Sequence, residues 1–132
     1  MRTIKDTPRV DFHEVETTAA NHHSIAYCEE HYPETCQMFK DIMQEQYELF
    51  CKKQKNYGPG NISVGTNLDT NEDVKLSLTG LWFRMNDKIQ RLKQLIILGH
   101  KDEVGESELD TFQDLSVYGI IAQIVSAKKW GK

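Results

Sequence analysis

The feature that most constrains this chain is one long run of apolar residues at steps of three and four. Val74, Leu78, Leu81, Met85, Ile89, Leu92 and Ile96 share one helical face. Thr70-Asn-Glu-Asp73 before the run has the pattern of a reciprocal helix cap. Gly99 beyond it suits a helix end. The spacing therefore predicts a helix over 71–98, long enough at about 1.5 Å per residue to cross a small domain. Trp82 and Phe83 lie off the main stripe and widen the apolar surface. Ser77, Gly80, Arg84, Asp87, Lys88 and Arg91 form a second stripe beside it. Small residues let a backbone or a ligand come close, and clustered Arg and Lys suit phosphate. The same stripe also reads as a solvated face with pairs such as Asp87–Arg91.

Two further helices flank this one. Pro33 fits a first helical turn, and Glu34 puts negative charge at the positive end of the helix dipole. Cys36, Phe39, Met43, Tyr47 and Phe50 then make a stripe, widened by Ile42 and Leu49, for a helix over 34–56. Ser107-Glu-Leu-Asp110 resembles a second cap, starting a helix over 106–127. Beyond Asp114 that helix is apolar nearly all round, which predicts burial in a bundle or a subunit interface. Gly119 and Ala122 would permit close helix contact. The fold expected is all-α: a small bundle of three main helices, assembling as a homo-oligomer. Residues 1–32 form a short N-terminal arm or helix, and 33–132 the helical domain. In the arm, Pro8 disfavours helix, Val10 to Val15 suit extended or irregular chain, and Asn21 to His31 suit a short helix. The cationic tail Lys128-Lys-Trp-Gly-Lys132 is expected to fray.

Bulk properties narrow the partners. A chain of 132 residues suits one domain with a real core. A net charge of −4 argues against binding long DNA or RNA, but leaves room for one nucleotide in a local basic pocket. Three cysteines without tight spacing read as reduced thiols, so the cytoplasm is the expected compartment. No apolar run is long enough to span a bilayer, and the first residues lack the apolar core of a signal peptide. His13, His22, His23 and His31, with Cys28 and Cys36, offer metal-ligand chemistry but no zinc spacing.

Two places could carry function. The turn Gly58-Pro-Gly60 closes the first long helix, or brings backbone close to a ligand with Tyr57 as aromatic wall and Asn61 as polar reader. On the last helix Asp110 and Asp114 are one turn apart, with Tyr118 on the same stripe. They could share a divalent cation such as Mg²⁺, joined by Glu106. Asp110 also reads as a first-turn acid. Asp114 stands beside the apolar half of the helix and needs a partner, either a metal or the cations Arg84, Lys88 and Arg91. Antiparallel packing of the last two helices would turn both stripes toward one cleft, as a metal–polyphosphate ligand requires.

Three blocks carry a family resemblance: Lys53-Gln-Lys-Asn-Tyr-Gly-Pro-Gly-Asn61, Gly80-Leu-Trp-Phe-Arg-Met-Asn-Asp-Lys-Ile-Gln-Arg-Leu92, and Glu108-Leu-Asp-Thr-Phe-Gln-Asp-Leu-Ser-Val-Tyr118. Together they resemble the first nucleotide-modification-associated domain family of phages and bacteria, over about residues 40–131. The acidic helix is also faintly similar to MazG-type all-α nucleotide pyrophosphatases. Those hold Mg²⁺ through a paired-glutamate motif and a later Glu-x-x-Asp pair. This chain departs from that pattern, offering Glu45 and Glu48, then Asp110 and Asp114 at i,i+4. The resemblance implies a nucleotide-linked function. In an enzyme, Asp110 and Asp114, with Asp87, would hold Mg²⁺ for pyrophosphohydrolysis while Arg84, Lys88 and Arg91 neutralise phosphates. In a binder, the same pocket, with Tyr57, Gly58, Asn61 and Tyr118, would sequester a nucleotide-derived signal. In an adaptor, the cations and aspartates would simply pair between helices.

Overall fold

The computed structural model describes the backbone of residues 12–132 and the side chains from residue 18 onward. Every regular element among them is helical: α1 (Phe12–His31), α2 (Pro33–Tyr57), the single turn α3 (Gly60–Ser63), α4 (Asn71–Leu92) and α5 (Glu108–Ser126). The chain forms two compact units, one up to Glu48 and one from Leu49 to Lys132, with α2 running through the boundary.

In the first unit the arm is more helical than its sequence suggests. The helix extends from His31 back to Phe12 instead of stopping near Asn21, so Val15 is helical rather than extended. Pro8 and Val10 lie outside the described residues. Tyr32 separates α1 from α2, because Pro33 has no N–H to continue the ladder. Cys36 N–H nevertheless donates to Tyr32 O at 3.0 Å, so α2 resumes at once. Lys40 reaches Glu29 across this junction at 2.7 Å. Phe39, Ile42, Met43 and Tyr47, expected to face a core, are all exposed.

The second unit holds the buried core: Ile62, Leu68, Leu81, Ile121, Val125 and Trp130. Phe50, Val74, Leu78, Val117 and Tyr118 are among the partly buried residues packed on it. α4 packs chiefly on α5. Lys88 pairs with Asp114 near the start of α5, while Leu81 joins Ile121 and Val125 near its end, so the two helices run antiparallel. Both helix starts are capped at the expected residues, but only the second cap is reciprocal. Thr70 Oγ1 accepts from Asp73 N–H at 3.1 Å, and Ser107 and Asp110 exchange both bonds of a capping box.

Three departures shape this unit. The long helix is α-helical only to Leu92, then widens into a π turn over Lys93–Ile97 before Gly99 ends it at φ +67°. Ile89 and Ile96, on its expected buried stripe, are exposed. The rest of that stripe is covered, with Leu81 buried and Val74 and Leu78 packed on the core, and the neighbouring small-residue stripe is covered too at its start: Ser77 is 1% exposed, and its Oγ donates to Ile62 O of α3 at 2.7 Å. Gly80 and Gly119 are not needed for close approach, since a Cβ on either meets nothing within 4 Å. The tail does not fray. Trp130 is 5% exposed, its Nε1 donates to Pro59 O at 3.1 Å, and Lys132 pairs with Asp69.

Candidate functional site

A cavity of about 270 Å³ opens in the second unit, bounded by the end of α2, by α3, α4, α5 and the tail. Its size lies near the lower end of the roughly 300–1,000 Å³ usual for small-molecule sites. Two helices line it with the same spacing. α2 contributes Leu49, Phe50, Lys53, Gln54 and Tyr57, and α5 contributes Gln113, Asp114, Val117, Tyr118 and Ile121. Each set runs i, i+1, i+4, i+5, i+8, the signature of one helical face. Arg84 enters from α4, Asn61 and Ile62 from α3, and Trp130 from the tail.

The floor is apolar and the rim polar. Ile62, Ile121 and Trp130 are buried, Phe50 and Val117 half-buried, and Lys53, Tyr57 and Asn61 exposed. Phe50 and Trp130 meet at a ring-centroid distance of 6.0 Å, tilted by 60°. This is an attractive arrangement of two aromatic rings. Gly58 ends α2 at φ +68°, a conformation that favours glycine, and turns the chain into α3. The bond from Ser77 to Ile62 and a second from Arg84 Nη2 to Asn61 O, at 2.9 Å, fasten α3 to α4. Both carbonyls belong to a one-turn helix that cannot satisfy them internally.

The sequence-predicted residues fall into two groups. Tyr57, Asn61, Arg84, Asp114 and Tyr118 line the cavity together. Gly58, Asp87, Lys88, Arg91 and Asp110 do not. Lys88 lies behind Asp114 and holds two carboxylates, Glu106 Oε1 at 2.6 Å and Asp114 Oδ2 at 2.9 Å. Burial works against the Lys88 charge, but the hydrogen bonds and charges of Glu106 and Asp114 prevail and raise its pKa above 10.5. Arg91 donates to Asp102 Oδ1 at 2.9 Å and to Glu106 O, with Nε 3.7 Å from Glu106 Oε2. The Arg91 hydrogen bond, aided by backbone N–H groups, holds Asp102 below its usual carboxylate range. Asp87 is exposed. Lys53, Gln54, Gln113 and Trp130 line the cavity but lie on none of the helical stripes read from the sequence.

One oxygen of each aspartate already has a partner within the protein. Asp110 Oδ2 accepts from Ser107 N–H at 3.1 Å, closing the cap, while Asp114 Oδ2 holds Lys88. Among the described residues no three His, Cys, Asp or Glu side chains are grouped to hold a metal ion. His22, His23 and His31 are exposed and the side chain of His13 lies outside the described residues. All three cysteines are free thiols. No helix among the described residues is long and apolar enough to cross a membrane.

No family model matches the chain, and no curated protein or solved structure resembles it significantly.

Proposed function

We propose that the protein binds a free nucleotide or nucleotide-like small molecule in this cavity, without needing a metal to do so. The observation that carries the reading is the lining itself: an apolar aromatic floor, three amide side chains, and the cations Lys53 and Arg84 opposite the carboxylate of Asp114. A planar ring can stack on the aromatic surfaces, the amides can read its polar edge, and the cations suit an anionic end. Binding is favoured over hydrolysis because Asp110 is engaged in its cap and Asp114 with Lys88. A place beside nucleotide or DNA-base modification in a phage or bacterial cell rests on the family resemblance, as does the idea of sequestering a nucleotide-derived signal.

A thermal-shift screen over nucleosides and nucleotides tests the reading. At least one nucleotide should raise Tm in a concentration-dependent way that survives a chelator. Tyr57→Ala, at a side chain 69% exposed, should weaken that shift while leaving the unliganded Tm unchanged. A flat screen would reject the binder. Release of pyrophosphate from a triphosphate only with Mg²⁺, abolished by Asp114→Asn, would replace it with a hydrolase. Self-association accompanies this reading, since Trp82, Phe83 and Ile89 of α4 are more than half exposed and a second copy would cover them. Light scattering during size-exclusion chromatography should show more than one chain per particle, and Trp82→Glu should shift it toward the monomer.

A further inference from the structure

Resting on that reading, we infer that the guest is a nucleoside monophosphate: the site accommodates one base, one sugar and one phosphate, with Lys53 as the group that recognises the phosphate. Three observations converge. The first is room. About 270 Å³ suits a single nucleoside, whereas a dinucleotide would need space toward the upper part of the usual range. The second is polarity along the depth of the cavity. Ile62, Ile121 and Trp130 make a floor where an unpaired phosphate would be costly, so the ring goes down and the phosphate stays at the rim. Lys53 is the exposed cation at that rim, one helical turn before the aromatic wall Tyr57.

The third observation is charge. The lining carries Lys53 and Arg84 against Asp114. One Arg84 donor is already given to Asn61 O, and the Lys88 behind Asp114 is shared between that carboxylate and Glu106. One phosphate brings about −1.5 to −2 at neutral pH, which already exceeds the single net positive charge left by Lys53 and Arg84 against Asp114. Each further phosphoryl group adds negative charge with no further cation in the lining to meet it. A triphosphate tail therefore projects from the rim into water and contributes nothing to affinity. Lys52, Lys53 and Lys55 all suit the carbonyl end of α2, so the sequence alone gives Lys53 no separate role.

Calorimetric titration of the full chain in EDTA tests this directly. The probes are the four ribo- and four deoxyribonucleosides, their 5′-monophosphates, their 5′-triphosphates and inorganic phosphate. For the preferred base, the monophosphate should bind at least about tenfold more tightly than the nucleoside, the gain of one charge-assisted contact. The triphosphate should bind no more tightly than the monophosphate, and inorganic phosphate alone should not bind. Lys53→Gln, at an exposed position, should erase the difference between monophosphate and nucleoside while leaving nucleoside affinity within twofold. A triphosphate tenfold tighter than the monophosphate, or a phosphate preference that survives Lys53→Gln, overturns the inference but leaves nucleotide binding intact. Absence of binding by any nucleoside or nucleotide overturns both.

Discussion

The two units of this protein use similar helices to different ends. In α2 before Leu49, Phe39, Ile42, Met43 and Tyr47 make an amphipathic stripe, yet all four are exposed. Beyond Leu49, residues of the same kind meet a second surface: Phe50 touches Trp130, and Leu81 shares a core with Ile121 and Val125. The contrast separates two properties that sequence patterns merge. A stripe at helical spacing shows that a helix can be buried on one side; whether it is buried depends on what the rest of the chain brings to it. In the second unit that core supplies the floor of the cavity.

Mutations on matched residue types should widen or collapse this contrast. The largest effect is expected for Trp130→Ala, which empties a buried aromatic site and should cost about 3–5 kcal/mol by chemical denaturation. Phe39→Ala in the first unit should stay within about 0.5 kcal/mol, and equal losses at the two sites would break the distinction. Next comes the charge cluster. Lys88→Met leaves Glu106 and Asp114 facing each other without their cation and should cost about 1–2 kcal/mol, less than a fully buried pair because these groups keep some solvent. Adding Asp114→Asn should recover part of the loss, whereas Lys40→Met, at the exposed pair with Glu29, should leave Tm unmoved. Ser77→Ala strips the buried Ile62 carbonyl of its hydroxyl donor and should cost about 1 kcal/mol, seen as faster amide exchange in α3.

The smallest effect at neutral pH, and the most diagnostic at the extremes, comes from titration. The Asp102 pKa is lowered by folding, so its contribution is present above the unfolded value of 3.8 and is lost as pH falls through the folded one. Lys88 is raised, so its contribution is present below 10.5 and is lost as pH climbs through its higher folded value. These two groups should leave Tm unchanged between about pH 5 and 9. Asp102→Asn should soften the acid decline, and Lys88→Met the alkaline decline.

The parts of the structure legible in the sequence are those decided locally. Thr70 and Ser107 cap their helices because hydroxyl and backbone N–H lie within three residues of each other. The all-helical class follows from periodicity. Leu68 and Trp130 were illegible as core residues because neither lies on a periodic stripe. One plugs the core from a turn at φ +56°, the other from a tail that looks merely cationic. In α4 the burial of Val74, Leu78 and Leu81 was legible, but that of the later part of the helix was not. A hydroxyl seeking the α3 carbonyl and three cations seeking partners turn the polar stripe inward, while Ile89 and Ile96 remain open. For the site, residue types suggested that cations and aspartates belong together. Sequence could not decide that Lys88 and Arg91 would be taken by Glu106, Asp114 and Asp102 while Arg84 would line the cavity. Lys53 and Gln54 were hidden in a helix end where lysines have an ordinary electrostatic reason to occur.

Trp130 has an optical consequence. Of the two indoles in the chain, it stands shielded at the cavity floor, while Trp82 is 57% exposed to water. Its emission lies toward the blue and that of Trp82 toward the red. A ring stacked against the floor should quench the blue component, while a soluble collisional quencher reaches the red one first. With Trp82→Phe, fluorescence becomes a single-site gauge of cavity occupancy that needs no attached dye.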